Sequence, residues 1–179
     1  RTDRSRLRAW AGSNAAPGAG ANDTMASAKG PVATITSHLE RQMVSAWGAA
    51  SGHRAIVCGN VGLPFSSVVK DLGPKDFFVL EISSFQLETI SAFHPEVAGI
   101  LNLTPDHLDR YRDVEDYYRF KERIVENCGA NDSFFYNALD RRCAAIAGRF
   151  AGRSVPFSSA GPVDGGVYLD EGSRLVRER

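Results

Sequence analysis

Residues 77–88 read Phe77-Phe78-Val79-Leu80-Glu81-Ile82-Ser83-Ser84-Phe85-Gln86-Leu87-Glu88. The apolar run within 76–82 has the length and character of a strand buried on both faces, as parallel sheets require. It ends on a carboxylate, Glu81, followed closely by two hydroxyl residues. A second apolar run, 97–103, ends in a similar way, in Thr104-Pro105-Asp106-His107-Leu108-Asp109-Arg110. Beyond it Val114, Tyr117, Tyr118, Ile124, Val125 and Cys128 recur at helical spacing, which predicts a helix over 114–127. Lys121 falls in the centre of that apolar stripe.

Outward from this centre the alternation continues. Residues 55–58 form a short apolar strand, followed by the turn Gly59-Asn60-Val61-Gly62 and a short helix over 65–72. Pro31 suits the first turn of a helix whose apolar face carries Val32, Ile35, Leu39, Met43 and Val44. Downstream, 132–136 is a strand, 139–150 a helix and 154–157 a strand. Residues 167–169 and 175–176 pair as a hairpin around 170–173. Strands alternating with helices, without an internal repeat, predict an α/β fold: a mainly parallel sheet with helices on both faces.

Composition narrows the function. Basic and acidic residues both total 21, so no bulk field draws the chain to nucleic acid or to an anionic membrane. A hydrophobic content of 43% fits a folded protein, and 179 residues suffice for one core and one domain. No apolar run approaches the ~20 residues of a membrane span, and the basic first ten residues lack the apolar centre of a secretory signal. Cys58, Cys128 and Cys143 have no metal-type spacing, which predicts a reduced, cytoplasmic protein. Residues 1–30, rich in Arg, Ala, Gly, Ser and Asn without periodicity, read as a disordered or foreign segment ahead of the folded part, 31–179. Arg1 in place of Met suggests a fragment.

In parallel sheets ligands sit beyond the carboxyl ends of the strands, where Glu81, the 102–107 segment and the 59–62 turn all fall. Glu81 is either a hard oxygen ligand for magnesium or a cap on a neighbouring helix. His107 alone reads as a surface or hydrogen-bonding residue, and Asp106 and Asp109 as first-turn acids; their place beside Glu81 in the inferred sheet raises the functional reading. Lys121 either snorkels to water or is held for chemistry. Burial favours its neutral amine, which can take up carbon dioxide as a carbamate offering oxygen ligands to a metal. The hydroxyls of Ser83 and Ser84 bind substrate or cap the next turn, capping being the commoner role. Gly59 and Gly62 either admit a phosphate to the backbone or make a tight turn.

Together the stretches 59–62, 81–88, 101–111 and 118–124 resemble the Mur ligases, and among them the D-glutamate-adding branch, above all through Ser83-Ser84-Phe85-Gln86-Leu87-Glu88. The resemblance runs from about Val32 to about Phe157 and implies a P-loop NTPase-like central domain, here incomplete. It implies ATP-dependent joining of D-glutamate to UDP-N-acetylmuramoyl-L-alanine in peptidoglycan precursor synthesis, by an enzyme that is monomeric at full length. By the same resemblance Glu81 and His107 hold Mg2+, Lys121 is the carbamylated lysine serving a second Mg2+, and Asn60 and Ser83 contact the muramoyl substrate.

The departures matter. The family's phosphate loop has the form G-T-x-G-K-[ST]-T, and counting back from residues 36–39 puts Lys29 at its lysine. Ala28 then stands for a glycine, and Gly30 and Pro31 for the hydroxyl residues. Pro31 has no N–H to offer a phosphate. Without flanking domains for the uridine end and for D-glutamate, the isolated chain is expected to be inactive and, with an exposed sheet edge, poorly soluble. Two other readings stay open: a diverged, non-catalytic binding module, and another amide ligase of the superfamily such as a folylpolyglutamate synthase.

Overall fold

Apolar residues on both sides of one strand fix the centre of the sheet. In the computed structural model, which describes residues 29–35, 54–68, 77–171 and 174–177, strand β3 (Phe77–Glu81) pairs in parallel with β2 (Ala55–Gly59) on one side and β1 (Lys29–Ile35) on the other. Val79 and Leu80 point to opposite faces and neither is exposed at all, so both faces are covered at this point. The remaining strands are β4 (His94–Ile100), β5 (Ser133–Asn137), β6 (Arg153–Ser158), β7 (Val167–Leu169) and β8 (Leu175–Arg177). Among the described residues the sheet has the order β2-β3-β1-β4-β5-β6-β7-β8. Every pairing is parallel except that of β7 with β8, which is the expected hairpin.

Helices are short. They are α1 (Phe65–Val68), α2 (Ser84–Leu87), α3 (Val114–Glu122), continued by a 3-10 turn at Arg123–Val125, and α4 (Arg141–Ala147). Caps account for their limits. Asp113 accepts the N–H of Asp116 and starts α3, while Asp140, in extended conformation, accepts the N–H groups of Arg142 and Cys143. That cap keeps α4 from beginning at 139 as the periodicity predicts. One apolar cluster joins β3, β4 and β5 to the helices through Leu80, Leu87, Phe93, Ile100, Ile124, Phe134 and Ile146.

Two expectations are corrected. Residues 29–35 are not the start of a helix; they form β1, between β3 and β4. Val32, Thr34 and Ile35 are β-branched, and β-branched residues favour strands. Pro31 is accommodated by a slip in register: Gly30 faces Pro95 while Ala33 faces Val97, so β1 carries one extra residue where the proline cannot donate to the ladder. The rest of the expected helix, with Leu39, Met43 and Val44, lies outside the described residues, as do 69–72 of the helix expected after Phe65. Strand β4 is also shifted, beginning at His94 and ending at Ile100 rather than running 97–103. It stops because Leu103 N–H donates to Asp140 Oδ2 at 2.8 Å rather than continuing the ladder.

Candidate active site

Because β1 lies between β3 and β4, the order of strands reverses at β1, and such a switch point opens a crevice at the carboxyl edge of a parallel sheet. Glu81 closes β3 on one side of it and the 101–111 loop leaves β4 on the other. The two strands are therefore not neighbours, as the inferred sheet had them, but stand about 10 Å apart across β1.

The 59–62 turn is locked onto the end of β3. Asn60 N–H donates to the Glu81 carbonyl at 2.8 Å, and Gly59 N–H donates to the Leu63 carbonyl at 2.9 Å. Gly59 has φ +119°, and a β-carbon there would lie 2.1 Å from the Glu81 carbonyl oxygen. This glycine serves close approach to the neighbouring strand, which brings Asn60 beside Glu81. Glu81 itself is only 8% exposed. Ser83 caps α2: its Oγ accepts Gln86 N–H, and Gln86 Oε1 accepts the Ser83 N–H at 2.9 Å. Glu81 precedes this cap and takes no part in that capping box.

Across the crevice, the 101–111 loop contains no helix, so Asp106 is not a first-turn acid. Its Oδ1 accepts the His107 N–H at 2.8 Å. His107 has φ +52°, a left-handed conformation unusual for a non-glycine residue and frequent at functional sites. Its ring packs on Phe85, with centroids 4.8 Å apart. Lys121, on α3, is partly buried and lies within the fields of both Asp106 and Glu81. Burial pushes its ammonium pKa down, and the two carboxylates offset this only in part. Its Nζ lies 5.8 Å from the centre of the Tyr117 ring.

Glu81 and Asp106 thus both lie within electrostatic reach of Lys121, with Asn60 and Ser83 on the segments flanking Glu81. His107 adjoins them on a side chain that is 47% exposed. Among the described residues, no three histidine, cysteine or acidic side chains form a preformed metal cage. Lys29 is not brought to this edge. It opens β1 opposite His94, six residues from Ile35, which faces Glu81. At strand spacing that is about 20 Å away, so Lys29 sits in a strand at the amino edge and not in a phosphate loop. Among the described residues no helix is long and apolar enough to cross a membrane.

Sequence reasoning gave Asp106 no part near Lys121 and missed the role of Asp140, which ties the loop to α4 through Leu103. Burial raises the pKa of the Asp140 carboxyl, but N–H groups from Leu103, Cys143 and Arg142 outweigh this and hold it below its usual range. The signal available was an Asp immediately before an apolar-periodic segment.

The sequence profile of the Mur ligase middle domain matches residues 34–168. The UDP-N-acetylmuramoylalanine–D-glutamate ligase of Chlorobium luteolum is 45% identical over 146 residues, covering 78% of this chain and 32% of the relative. The ligase of the same name from Koribacter versatilis is 42% identical over 129 residues, 72% of this chain and 28% of the relative. The chain thus spans about a third of the length of the curated relatives it matches. Among solved structures, a UDP-N-acetylmuramoyl-L-alanyl-D-glutamate–2,6-diaminopimelate ligase superposes with a TM-score of 0.63 at 17% identity, covering 83% of this chain and 35% of that one. The MurF ligase of Thermotoga maritima in complex with ADP gives 0.58 at 16%, covering 88% and 42%; at such identities the likeness is one of fold. With a middle-domain profile matched over most of its length, the chain belongs to the Mur ligase family.

Proposed function

We propose that the chain is part of the central domain of an ATP-dependent ligase that adds D-glutamate to UDP-N-acetylmuramoyl-L-alanine. The observation that carries this reading is identity above 40% to ligases of that name over most of the chain, and it is supported by Glu81 at the switch point of the sheet with Lys121 in its field. In the reaction, a carboxylate oxygen of the muramoyl alanine attacks the γ-phosphorus and the bond to ADP breaks, leaving an acyl phosphate. The D-glutamate amine then attacks the acyl carbon, loses a proton and expels phosphate.

Every reacting group except the amine is anionic, so the site must offset charge. The donor set suits magnesium, which is commonly held by one or two carboxylates with substrate phosphates completing its shell. Glu81 and His107 would hold it, with Asp106 close by, and when bound it would polarise the phosphoryl oxygens. Lys121 serves in one of two forms. As an ammonium it would neutralise phosphoryl charge directly; as the amine that burial favours, it would add carbon dioxide with loss of a proton, and the carbamate oxygens would help hold a second ion. Asn60, fixed by its N–H bond to the Glu81 carbonyl, and Ser83, at the start of α2, would contact the muramoyl end.

Because the chain covers a third of its relatives, the test is a hybrid. Residues 55–168 replace the matching segment of the Chlorobium luteolum ligase, and phosphate release is followed with both substrates. The expected result is activity within about tenfold of the parent, lost by roughly 100-fold or more in Glu81→Gln and Lys121→Ala. The placement of Lys29 in a strand favours a second reading, a non-catalytic binding module. A second hybrid that carries residues 29–168, binds UDP-N-acetylmuramoyl-L-alanine but releases no phosphate, beside an active 55–168 hybrid, would establish that reading instead.

A further inference from the structure

The Ser83–Glu88 stretch does more than present Ser83. Phe85 and Glu88 are three residues apart on the same side of one helical turn, and both reach the loop that carries His107. Glu88 Oε2 accepts Arg110 Nη2 at 2.9 Å, and Glu88 Oε1 accepts Arg110 Nε at 3.3 Å and the Tyr111 hydroxyl at 2.9 Å. The Arg110 guanidinium in turn lies over the Phe85 ring, 4.8 Å from its centre. Phe85 stacks on Tyr111 at 6.0 Å and packs on His107 at 4.8 Å. The carbonyl of His107 accepts the N–H groups of Arg110 and Tyr111. Groups held by Glu88 are thus one hydrogen bond from the backbone of His107, at the residue whose φ is left-handed.

An isolated Arg–Glu pair with a half-exposed arginine contributes little to stability. This carboxylate, however, is mostly shielded, accepts three donors and faces a guanidinium stacked on an aromatic ring, which defines geometry more than it adds energy. It also joins the segment after β3 to the segment after β4, the two walls of the crevice.

We propose that Glu88 is a positioning residue: through Arg110 and Tyr111 it sets the 107–111 loop against Phe85 and so fixes His107 relative to Glu81. The inference rests on the ligase reading for its catalytic consequence, but not for the clamp itself. The Glu88 carboxylate is engaged by Arg110 and Tyr111 and acts through them. Its side chain carries the link between two parts of the site that meet at no shared strand pairing.

The test has two arms. In the 179-residue chain, the ring protons of His107, identified by the peak lost in His107→Asn, should lie upfield of those of the other histidines and show cross-relaxation to the Phe85 ring. Glu88→Gln, which cannot accept both nitrogens of the Arg110 fork, should move the signal downfield and abolish that cross-relaxation, whereas Glu115→Gln should change neither. Arg110→Lys should do the same as Glu88→Gln and serves if that variant does not fold. In the active hybrid, Glu88→Gln should lower kcat by up to about 100-fold with substrate KM little changed, the pattern of a misplaced group rather than a lost contact. An unmoved His107 signal in both Glu88→Gln and Arg110→Lys overturns the clamp. A displaced loop with kcat no lower than in Glu115→Gln overturns its role in the reaction. An inactive parent hybrid refutes the ligase reading, and the resonance arm then still decides whether Glu88 holds the loop.

Discussion

Replacing Gly59 by alanine tests how the crevice is assembled. Two costs arise there, and the structure separates them. The first is conformational: φ +119° lies in a region that L side chains rarely adopt, at a cost of about 1–3 kcal/mol. The second is contact. A β-carbon 2.1 Å from the Glu81 carbonyl oxygen cannot stay there, so the turn must lift away from β3. The 2.8 Å bond from Asn60 N–H to that carbonyl is then lost, and a buried acceptor left unsatisfied costs about 1–3 kcal/mol. Gly161 is the control, with φ +121° and nothing within 4 Å of the point where a β-carbon would stand. Gly161→Ala should show the conformational cost alone. Urea unfolding of both variants should therefore give an excess loss of about 1–3 kcal/mol for Gly59→Ala, read as a shift in midpoint at unchanged slope. Equal losses for the two would refute the claim that Gly59 is required by contact with the end of β3.

Lys121→Met should stabilise the chain at pH 7, because burial of the ammonium outweighs its attraction to Glu81 and Asp106. The folded-state pKa is lowered, so the unfolded chain binds the proton more tightly, and the contribution of Lys121 to stability should rise with pH from that lowered pKa towards 10.5. The buried thiols of Cys58, Cys128 and Cys143, pushed up to about 12, lower the stability of both proteins above pH 9, so the check is the wild-type midpoint minus that of the variant, which should rise across pH 7 to 10.5. Asp140→Asn should cost about 1–2 kcal/mol through the α4 cap and the Leu103 tether. Its depressed carboxyl contributes stability that is full above the unfolded value of 3.8 and lost as pH falls through the folded value, so the variant should flatten the acid limb of the unfolding curve. Arg123 donates to the carbonyls of Leu87, Glu88 and Ile90 at 2.6–2.7 Å. Arg123→Lys, lacking the planar fork, should lose about 1.5–3 kcal/mol and speed hydrogen exchange at the α2 amides more than in β4.

Much of this arrangement could be read from residue order. The run 77–80 announced a strand buried on both faces, and the polar residues ending it lie at the carboxyl edge. The stripe around Lys121 gave α3 but left open whether that lysine snorkels to water or is held in the core. The 29–35 segment misled because Pro31 suits a helix start as well as a strand bulge, and local pattern does not distinguish them. What decides is the pairing of that segment with β3 and β4, residues more than forty positions away. The same pairing carries Lys29, which local pattern had put in a phosphate loop, to the opposite edge of the sheet.

The sequence alone determined the strand–helix alternation, the family motifs and the residue types at the ends of the strands, because these depend on period and on neighbours in the chain. Only the tertiary structure decided that β1 separates β3 from β4 and that Gly59 abuts Glu81. Only it showed Asp106 within the field of Lys121, and Glu88 bridging to Arg110 and Tyr111. Each of these is a contact between segments distant in sequence, set by sheet order and register, and none leaves a periodic trace in the chain.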